Sequence, residues 1–198
     1  MTHQEQPPLE QSRFFSLEQV GKIVTEILLP SWKAGTLFVF HGVLGAGKTT
    51  LIKQLCAHVG IKDEVISPTY MYMNTYIDGQ NRKVYHFDLY RLDKIEDFFD
   101  MGFDAYLADK EAISIIEWPG VIMPLLADFS CRHRVVTVSL LHTDQTNEQR
   151  EIRYQLEQLL KKNKKMSEKC GFDKEKVAIL GRNIILAEGG FGTCLIII

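Results

Sequence analysis

The segment HGVLGAGKTT, residues 41–50, has the residue types and the spacing of a loop that binds phosphate. It fits the pattern G-x-x-x-x-G-K-[ST] at Gly42, Gly47, Lys48 and Thr49. Glycines allow the positive φ angles at which successive backbone N–H groups face a β-phosphate, and a helix beginning near Lys48 would add its N-terminal dipole. The lysine would neutralise β- and γ-phosphate charge, and the threonine hydroxyl would bind Mg²⁺. The pattern therefore predicts a site for a nucleoside triphosphate.

Two acidic residues close apolar segments and are candidates for the carboxylate that a magnesium ion needs. Asp88 ends the run VYHFD, and Glu117 ends the run ISIIE. A carboxylate at the end of an apolar strand is unfavourable unless it is paired, bound to a metal or solvated. We expect one of the two to hold Mg²⁺, directly or through water, and the other to orient the attacking water or a coupled loop. From the residues alone, either carboxylate can have either role.

The segment SPTY, residues 67–70, lies between the helix after the loop and the next expected strand. This position suits a switch loop in which the hydroxyl of Thr69 or Ser67 senses the γ-phosphate and the metal ion. A Ser-Pro turn that opens a strand is the simpler interpretation of the same residues.

Four further residues have a structural interpretation beside a functional one. Arg91 either contacts a phosphate or a partner, or forms a surface ion pair, and Trp118 either covers the site or packs against it. His41 and His86 lie in apolar runs, and we expect both to be core residues rather than ligands.

The phosphate-binding loop needs a strand before it and a helix after it, and the flanking residues predict both. TLFVFHG (36–42) is a short β-branched and aromatic run, and KTTLIKQLCAHVG (48–60) has apolar residues at helical spacing. An earlier helix is predicted in SLEQVGKIVTEILLP, which Ser16 can cap and Pro30 ends. The other predicted features are strands at 69–77, 83–88, 112–118 and 134–141, a hairpin turn at 78–81, and an acidic helical stretch at 91–110 broken at Gly102.

The composition suits one globular domain, or one domain with an appendage. The chain has 198 residues, of which 45% are hydrophobic, and a formal net charge of −2. This near-neutral balance favours neither DNA nor a membrane as a partner, and the sequence has no run of about 18 apolar residues. The four cysteines are scattered without a CxxC pair, which argues against a disulfide or zinc framework and favours a cytoplasmic location.

Changes in composition divide the chain into three predicted parts. Residues 1–13 are polar and contain Pro7 and Pro8, and we expect a disordered arm. Residues 14–152 hold all the motifs and are expected to form the P-loop domain. Residues 153–198 form a C-terminal extension for which the sequence predicts no role.

Four segments together resemble one known family. In order and spacing they are similar to the motifs of the TsaE (formerly YjeE) family: GVLGAGKTT, SPTY, YHFDLYRL and IEWP. Members of that family are bacterial ATPases of tRNA threonylcarbamoyladenosine biosynthesis. The resemblance covers residues 14–152. It implies an α/β fold, namely a small P-loop NTPase fold with a mixed parallel and antiparallel central sheet flanked by helices.

The resemblance also implies a set of site residues. ATP and Mg²⁺ would bind at the loop, with Thr49 and Glu117 as metal ligands, and with Asp88 close to the γ-phosphate and a further candidate ligand. Lys48, Asp88 and Glu117 would be the catalytic residues. The implied nucleotide contacts are Gly42, Gly45, Ala46, Gly47, Lys48, Thr49, Thr50 and Thr69, together with Phe15, Ser16, Leu17 and Glu18 near the adenine and Arg150 near the nucleotide.

By the same resemblance, the partners would be TsaB and TsaD. That complex transfers a threonylcarbamoyl group onto adenosine 37 of tRNAs that read codons beginning with A. TsaE-like proteins do not perform the transfer; their ATP hydrolysis drives or resets the complex, so tRNA would be met only through it. Because the chain shows no obvious internal arginine finger, we expect slow ATP hydrolysis that depends on the partners.

Other nucleotide-dependent functions remain alternatives. A small-metabolite kinase needs a lid with arginines near the γ-phosphate, whereas residues 91–110 are rich in Asp and Glu. A GTPase normally reads guanine with N-K-x-D, and the nearest match, residues 163–166, lacks the Asp. A nucleotide-gated binding module with negligible hydrolysis fits every motif.

One residue of the loop departs from the family pattern. The family usually has Asp after the first glycine of the loop, and this chain has Val43. We expect nucleotide binding to survive this difference, because the loop binds phosphate through its backbone.

Overall fold

The computed structural model describes residues 11–129, 133–142, 149–157, 177–179, 184–189 and 192–197. These residues form ten strands in two sheets. The strands are β1 (Gln11–Ser16), β2 (Thr36–His41), β3 (Met73–Ile77), β4 (Lys83–Asp88), β5 (Ile113–Glu117), β6 (Arg134–His142), β7 (Gln149–Glu157), β8 (Val177–Ile179), β9 (Ile184–Gly189) and β10 (Gly192–Ile197).

The larger sheet has seven strands in the order β1-β7-β6-β2-β5-β4-β3. Its centre is parallel, because β2 pairs in parallel with β5 and β6, and β4 pairs in parallel with β5. Both sides are antiparallel, through β3 on β4 and through β7 and β1 beyond β6. The predicted mixed sheet is therefore confirmed, and the carboxyl ends of the four parallel strands meet at one edge.

The helical segments lie between these strands. The five α-helices are α1 (Val20–Ile23), α2 (Lys48–His58), α3 (Ile95–Asp100), α4 (Phe103–Leu107) and α5 (Met123–Phe129). Short 3₁₀ and π segments extend α1 to cover residues 17–31, and the backbone N–H of Ser16 donates to Gln19 Oε1 at 3.0 Å at its start. Gly102, with φ +70°, separates α3 from α4 as the sequence predicts.

Alternation along the central strands creates two cores, one on each face of the sheet. Phe38 and Phe40 of β2 pack with the apolar side of α2 and with the helical segment 17–31. Leu37 and Val39 of the same strand pack on the opposite face, among residues of α3, α4 and α5. The face on which a strand residue lies therefore follows from whether its position is odd or even.

Several predicted boundaries are wrong. Strand β3 begins at Met73 rather than at residue 69, because Tyr72 adopts φ +61° and residues 69–72 form a turn. Strand β1 begins at Gln11, so residues 11–13 belong to the sheet and not to the predicted arm, whose residues 1–10 lie outside the described residues. Strand β7 was not predicted from the sequence and continues past residue 152.

Within the predicted C-terminal extension, the structure places β8, β9 and β10 in an antiparallel three-stranded sheet. No helix among the described residues is sufficiently long and apolar to cross a membrane.

Candidate functional site

The loop between β2 and α2 has the backbone that phosphate binding requires. Gly42, Gly45 and Gly47 all have positive φ, at +141°, +76° and +97°. At Gly42 a Cβ atom would lie 2.7 Å from the carbonyl oxygen of Leu140 in β6, so only glycine fits there. The loop then enters α2 at Lys48, which confirms the predicted order of strand, loop and helix.

Lys48 is buried and folded back over its own loop. Its Nζ atom donates to the carbonyl oxygens of Gly42 at 2.8 Å and Val43 at 3.1 Å, and it lies 3.9 Å from the centroid of the Trp118 ring. Burial lowers the pKa of Lys48, and the charges of Glu117 and Asp88 oppose that shift. Because the ammonium group is buried, it is placed to interact strongly with an anion bound at the loop.

Glu117 lies at the end of β5 on the face that α2 covers. It follows Ile113 and Ile115 at alternate positions of that strand, and both of these pack in the core under α2. The first turn of α2 presents Thr49 to it, and Thr49 Oγ1 donates to Glu117 Oε2 at 2.9 Å. Glu117 is only 1% exposed, so this buried carboxylate faces the loop rather than bulk solvent.

His86 contacts the other side of the same carboxylate. Its Nε2 atom lies 2.9 Å from Glu117 Oε1, and the residue is fully buried. The sequence predicted a core residue, which is confirmed, but it did not predict this contact. A signal was present, because His86 lies two positions before Asp88 and therefore on the same face of β4.

Asp88 ends β4, opposite Glu117 in the parallel pairing of β4 with β5. Its Oδ2 atom accepts hydrogen bonds from Ser67 Oγ and from Thr69 Oγ1, the latter at 2.6 Å. Its Oδ1 atom accepts from the backbone N–H of Tyr90 at 3.1 Å. The hydroxyls of Ser67 and Thr69 thus hold the segment 67–70 against Asp88. A loop held in this way can move when Asp88 changes its contacts.

Aromatic side chains cover the mouth of the site. Trp118 directly follows Glu117 with φ +57°, and its ring packs against that of Tyr90 at 4.9 Å between centroids. The guanidinium of Arg91 lies 4.4 Å from the ring centroid of the exposed Tyr70. Beside the loop is a cavity of about 650 Å³, lined by residues of the loop, of the segments after β4 and β5, and of the end of β6.

The residues predicted near the adenine lie two to three strands from the loop strand β2, at the edge where the parallel strands end. Phe15 is buried in the core, whereas Leu17 is 73% exposed. Phe15 pairs with Arg150 across β1 and β7, and Arg150 pairs with His142 at the end of β6. These pairings place Arg150 two strands from the loop strand β2, and its contact with a nucleotide remains a prediction.

The donor set at Glu117 fits a magnesium ion. A carboxylate and a hydroxyl are hard oxygen ligands, and Mg²⁺ in nucleotide sites takes one or two carboxylates and completes its shell with phosphates and waters. The described residues contain no group of three His, Cys, Asp or Glu side chains that could cage a metal by themselves. Thr49 and Glu117 therefore suit a metal that arrives with a nucleotide.

Comparison with known proteins gives a family. A model described as "Threonylcarbamoyl adenosine biosynthesis protein TsaE" matches residues 15–152. Relatives named "tRNA threonylcarbamoyladenosine biosynthesis protein TsaE" include that of Borreliella burgdorferi, 40% identical over 92 residues, which are 46% of this chain and 66% of the relative. That of Treponema pallidum is 33% identical over 120 residues, 61% of this chain and 80% of the relative.

A third such relative, from Haemophilus influenzae, is 39% identical over 105 residues, 52% of this chain and 65% of the relative. This chain thus spans about two thirds of the length of two of the three relatives. Among solved structures, the crystal structure of YdiB from Bacillus subtilis shares the fold, with a TM-score of 0.59 at 20% identity over 78% of this chain and 90% of that one. Because the family model covers more than half of its residues, this chain belongs to the TsaE family.

Proposed function

We propose that this protein binds ATP with Mg²⁺ at the loop 42–50 and hydrolyses it slowly. The observation that carries the proposal is the contact between the hydroxyl of Thr49, at the start of α2, and the buried carboxylate of Glu117, at the end of β5. A helix N-terminus, a glycine loop and a hydroxyl in contact with a buried carboxylate together form the donor set that a nucleotide–metal complex requires.

Each residue has a distinct task in this proposal. Lys48, whose Nζ atom donates to the carbonyl oxygens of Gly42 and Val43, would turn to the phosphates and neutralise their charge, a change that its flexible side chain permits. Thr49 and Glu117 hold Mg²⁺, which when bound supplies positive charge against the phosphate oxygens. Asp88, within reach of the 67–70 segment, orients the attacking water or the segment itself.

We further propose that the hydrolysis serves tRNA threonylcarbamoyladenosine synthesis in the cytoplasm. The names of the relatives support this assignment. In this proposal ATP drives or resets a TsaB–TsaD-like complex that modifies adenosine 37, and tRNA is met only through that complex. The sequence shows no obvious internal arginine finger, which supports a partner that supplies the missing catalytic charge.

Turnover measurements test the ATPase proposal directly. ATP hydrolysis by the full chain is measured alone and with the TsaB–TsaD partners, and we expect slow turnover that rises with the partners. Lys48→Ala should abolish productive hydrolysis, whereas Lys53→Ala, an exposed lysine on the same helix, should not change it. Fast turnover of the isolated chain that the partners leave unchanged would refute the coupling.

Analysis of bulk tRNA by mass spectrometry after depletion of the protein tests the pathway. We expect threonylcarbamoyladenosine to disappear and to return with the wild-type chain but not with Lys48→Ala. Unchanged modification would leave the nucleotide site in place and assign it to another pathway, such as that of a small-metabolite kinase or a nucleotide-gated binding module.

A further inference from the structure

We propose that His86 is a positioning residue that fixes the carboxylate of Glu117 in the orientation needed to bind Mg²⁺. The inference rests on the proposed function, because it concerns the same carboxylate. It assigns His86 no contact with the nucleotide or the metal.

Two donors hold the carboxylate of Glu117. His86 Nε2 lies 2.9 Å from Oε1, whereas Thr49 Oγ1 lies 2.9 Å from Oε2 and 3.2 Å from Oε1. Together the two donors fix both the position and the plane of the group. An ionised carboxylate only accepts hydrogen bonds, so Nε2 carries the proton in this contact.

The two donors differ in what binding of a metal would do to them. Thr49 is itself an expected ligand, and a hydroxyl oxygen that binds Mg²⁺ turns its lone pair toward the metal. His86 lies behind the carboxylate in the core and is fully buried, so its hydrogen bond can persist in both states. His86 is then a donor that Glu117 does not share with the metal, whereas the Thr49 hydroxyl would keep its O–H for Glu117 and offer a lone pair to the ion.

The burial of His86 is difficult to explain by stability alone. Among the described residues its Nδ1 atom has no hydrogen-bond partner, although it is buried. A buried polar atom without a partner is unfavourable, and an apolar side chain at this position would avoid that cost. The neighbours on the same face, Val84 and Ile115, are apolar. A histidine at this position is therefore accounted for by what it does for Glu117.

The neighbouring carboxylate has its own donors, so the effect of His86 is specific to Glu117. Asp88 accepts hydrogen bonds from Ser67, Thr69 and the backbone of Tyr90, and none of the side-chain hydrogen bonds that the structure describes for these three residues reaches Glu117. Loss of His86 should therefore weaken the metal site while leaving the phosphate-binding backbone intact.

The test measures binding of a fluorescent ATP analogue to the full chain, first in EDTA and then during a titration with MgCl₂. For His86→Leu we expect the half-saturating Mg²⁺ concentration to rise about 10-fold or more, the usual effect of losing an outer-shell partner. Affinity for the analogue in EDTA should stay within about 2-fold of wild type, because that binding depends on the loop. His86→Gln, whose amide N–H can reach the same oxygen, should restore the response to within about 3-fold.

Ile115→Val is the control, since it perturbs the neighbouring position of the same core without touching Glu117. If it raises the Mg²⁺ requirement as much as His86→Leu does, the role of His86 is merely structural and the inference is wrong. The same conclusion follows if His86→Leu responds to Mg²⁺ like wild type, or if its affinity falls equally with and without Mg²⁺. Should His86→Leu not fold, His86→Asn replaces it, because its amide is one methylene too short; equal responses of Asn and Gln would overturn the inference.

The wild-type titration separates this inference from the proposed function. Wild-type protein whose nucleotide binding ignores Mg²⁺ would refute the proposed metal site, and the inference would fall with it. Wild-type protein that responds to Mg²⁺ beside unaffected His86 variants would refute the inference alone.

Discussion

Asp78 and Glu117 are both buried carboxylates, at opposite edges of the same sheet, and their surroundings differ in kind. Asp78 follows β3 at the edge where the parallel strands begin. It accepts from Trp32 Nε1 at 3.0 Å and from the backbone N–H groups of Gln80 and Arg82 at 2.9 Å each, and it pairs with the Arg82 guanidinium at 2.7 Å. Every lone pair thus points at a donor within the chain, and a full positive charge balances it.

Glu117 lies where the parallel strands end, and its donors are a hydroxyl and an imidazole. Among the described residues no Arg or Lys lies within ion-pair distance of it, and the Lys48 ammonium interacts with it only at longer range. A buried carboxylate without a directly paired cation is unfavourable, and a bound cation would relieve that cost. The contrast favours a structural role for Asp78 and supports the proposed metal-binding role of Glu117.

The largest effect that would separate the two carboxylates is expected for Glu117→Gln. The amide keeps the shape of the side chain but removes the charge that holds the metal. Because a metal ion stabilises the transition state by several kcal/mol, ATP turnover should fall about 100-fold or more. The free energy of unfolding, measured with urea, should stay within about 1 kcal/mol of wild type, because the substitution breaks no ion pair with an Arg or Lys. Normal hydrolysis by this variant would show that Asp88, and not Glu117, is the essential carboxylate.

The converse change, Asp78→Asn, should affect stability and not activity. It removes the charge from a buried network of several hydrogen bonds, so we expect the free energy of unfolding to fall by about 2 kcal/mol. Affinity for the ATP analogue should not change, since the turn lies at the other edge of the sheet. Urea denaturation together with the binding assay checks both parts; a variant that loses nucleotide binding while remaining folded would break the comparison.

The stabilising effect of Asp78 should also depend on pH. Burial raises the pKa of Asp78, but the hydrogen bonds from Trp32, Arg82 and Gln80 together outweigh it, so the pKa is lowered in the folded protein. A lowered carboxyl pKa gives stability that is fully present above the unfolded pKa of about 3.9 and is lost as pH falls through the folded pKa. The stability difference between wild type and Asp78→Asn should therefore be constant near neutral pH and shrink below about pH 4. A difference that stays constant in acid would show that the charge is not what stabilises the turn.

The two carboxylate regions were not equally accessible from sequence. Asp88 and Glu117 could be predicted as site residues because each ends an apolar run, and parallel strands bring such ends to one edge. The hairpin turn at 78–81 was also predictable, but its contact with Trp32 was not, since 46 residues separate the two in sequence. The contact of His86 with Glu117 was missed for the same reason, because it depends on how two strands pair.

The errors in the elements also have physical causes. Residues 69–72 have the aromatic composition of a strand, but Asp88 accepts hydrogen bonds from Ser67 and Thr69, and the backbone turns there instead. Strand β7 is polar and charged, and its strand conformation depends on pairing with β6 and β1 on both sides. Local patterns identified the parallel centre and the β3–β4 hairpin, whereas the antiparallel side formed by β7 and β1 was determined by contacts that no local pattern reveals.

The smallest expected effect concerns Val43. This residue belongs to the loop at the edge where the parallel strands end, but its side chain lies outside the site. The side chain is 61% exposed, whereas the carbonyl oxygen accepts from Lys48 Nζ and from the backbone N–H of Ala46 at 3.2 Å. The loop thus uses the backbone of Val43, and the aspartate usual in the family should be tolerated. Val43→Asp should change affinity for the ATP analogue by less than about 3-fold, because an exposed charge is screened by solvent and salt.

Leu44→Asp is the matched control, since its side chain is 76% exposed in the same loop and the change adds the same charge. Equal, small losses of affinity in both variants would mean that the added charge acts only through the general field of the loop. A loss of more than about 10-fold in Val43→Asp alone would show that this side chain turns toward the phosphates when nucleotide binds. A change in turnover without a change in affinity would instead show that the side chain at position 43 adjusts hydrolysis. Residues that lie beside the site without forming it would then belong, with Glu117 and unlike Asp78, to the part of the molecule that acts on the nucleotide.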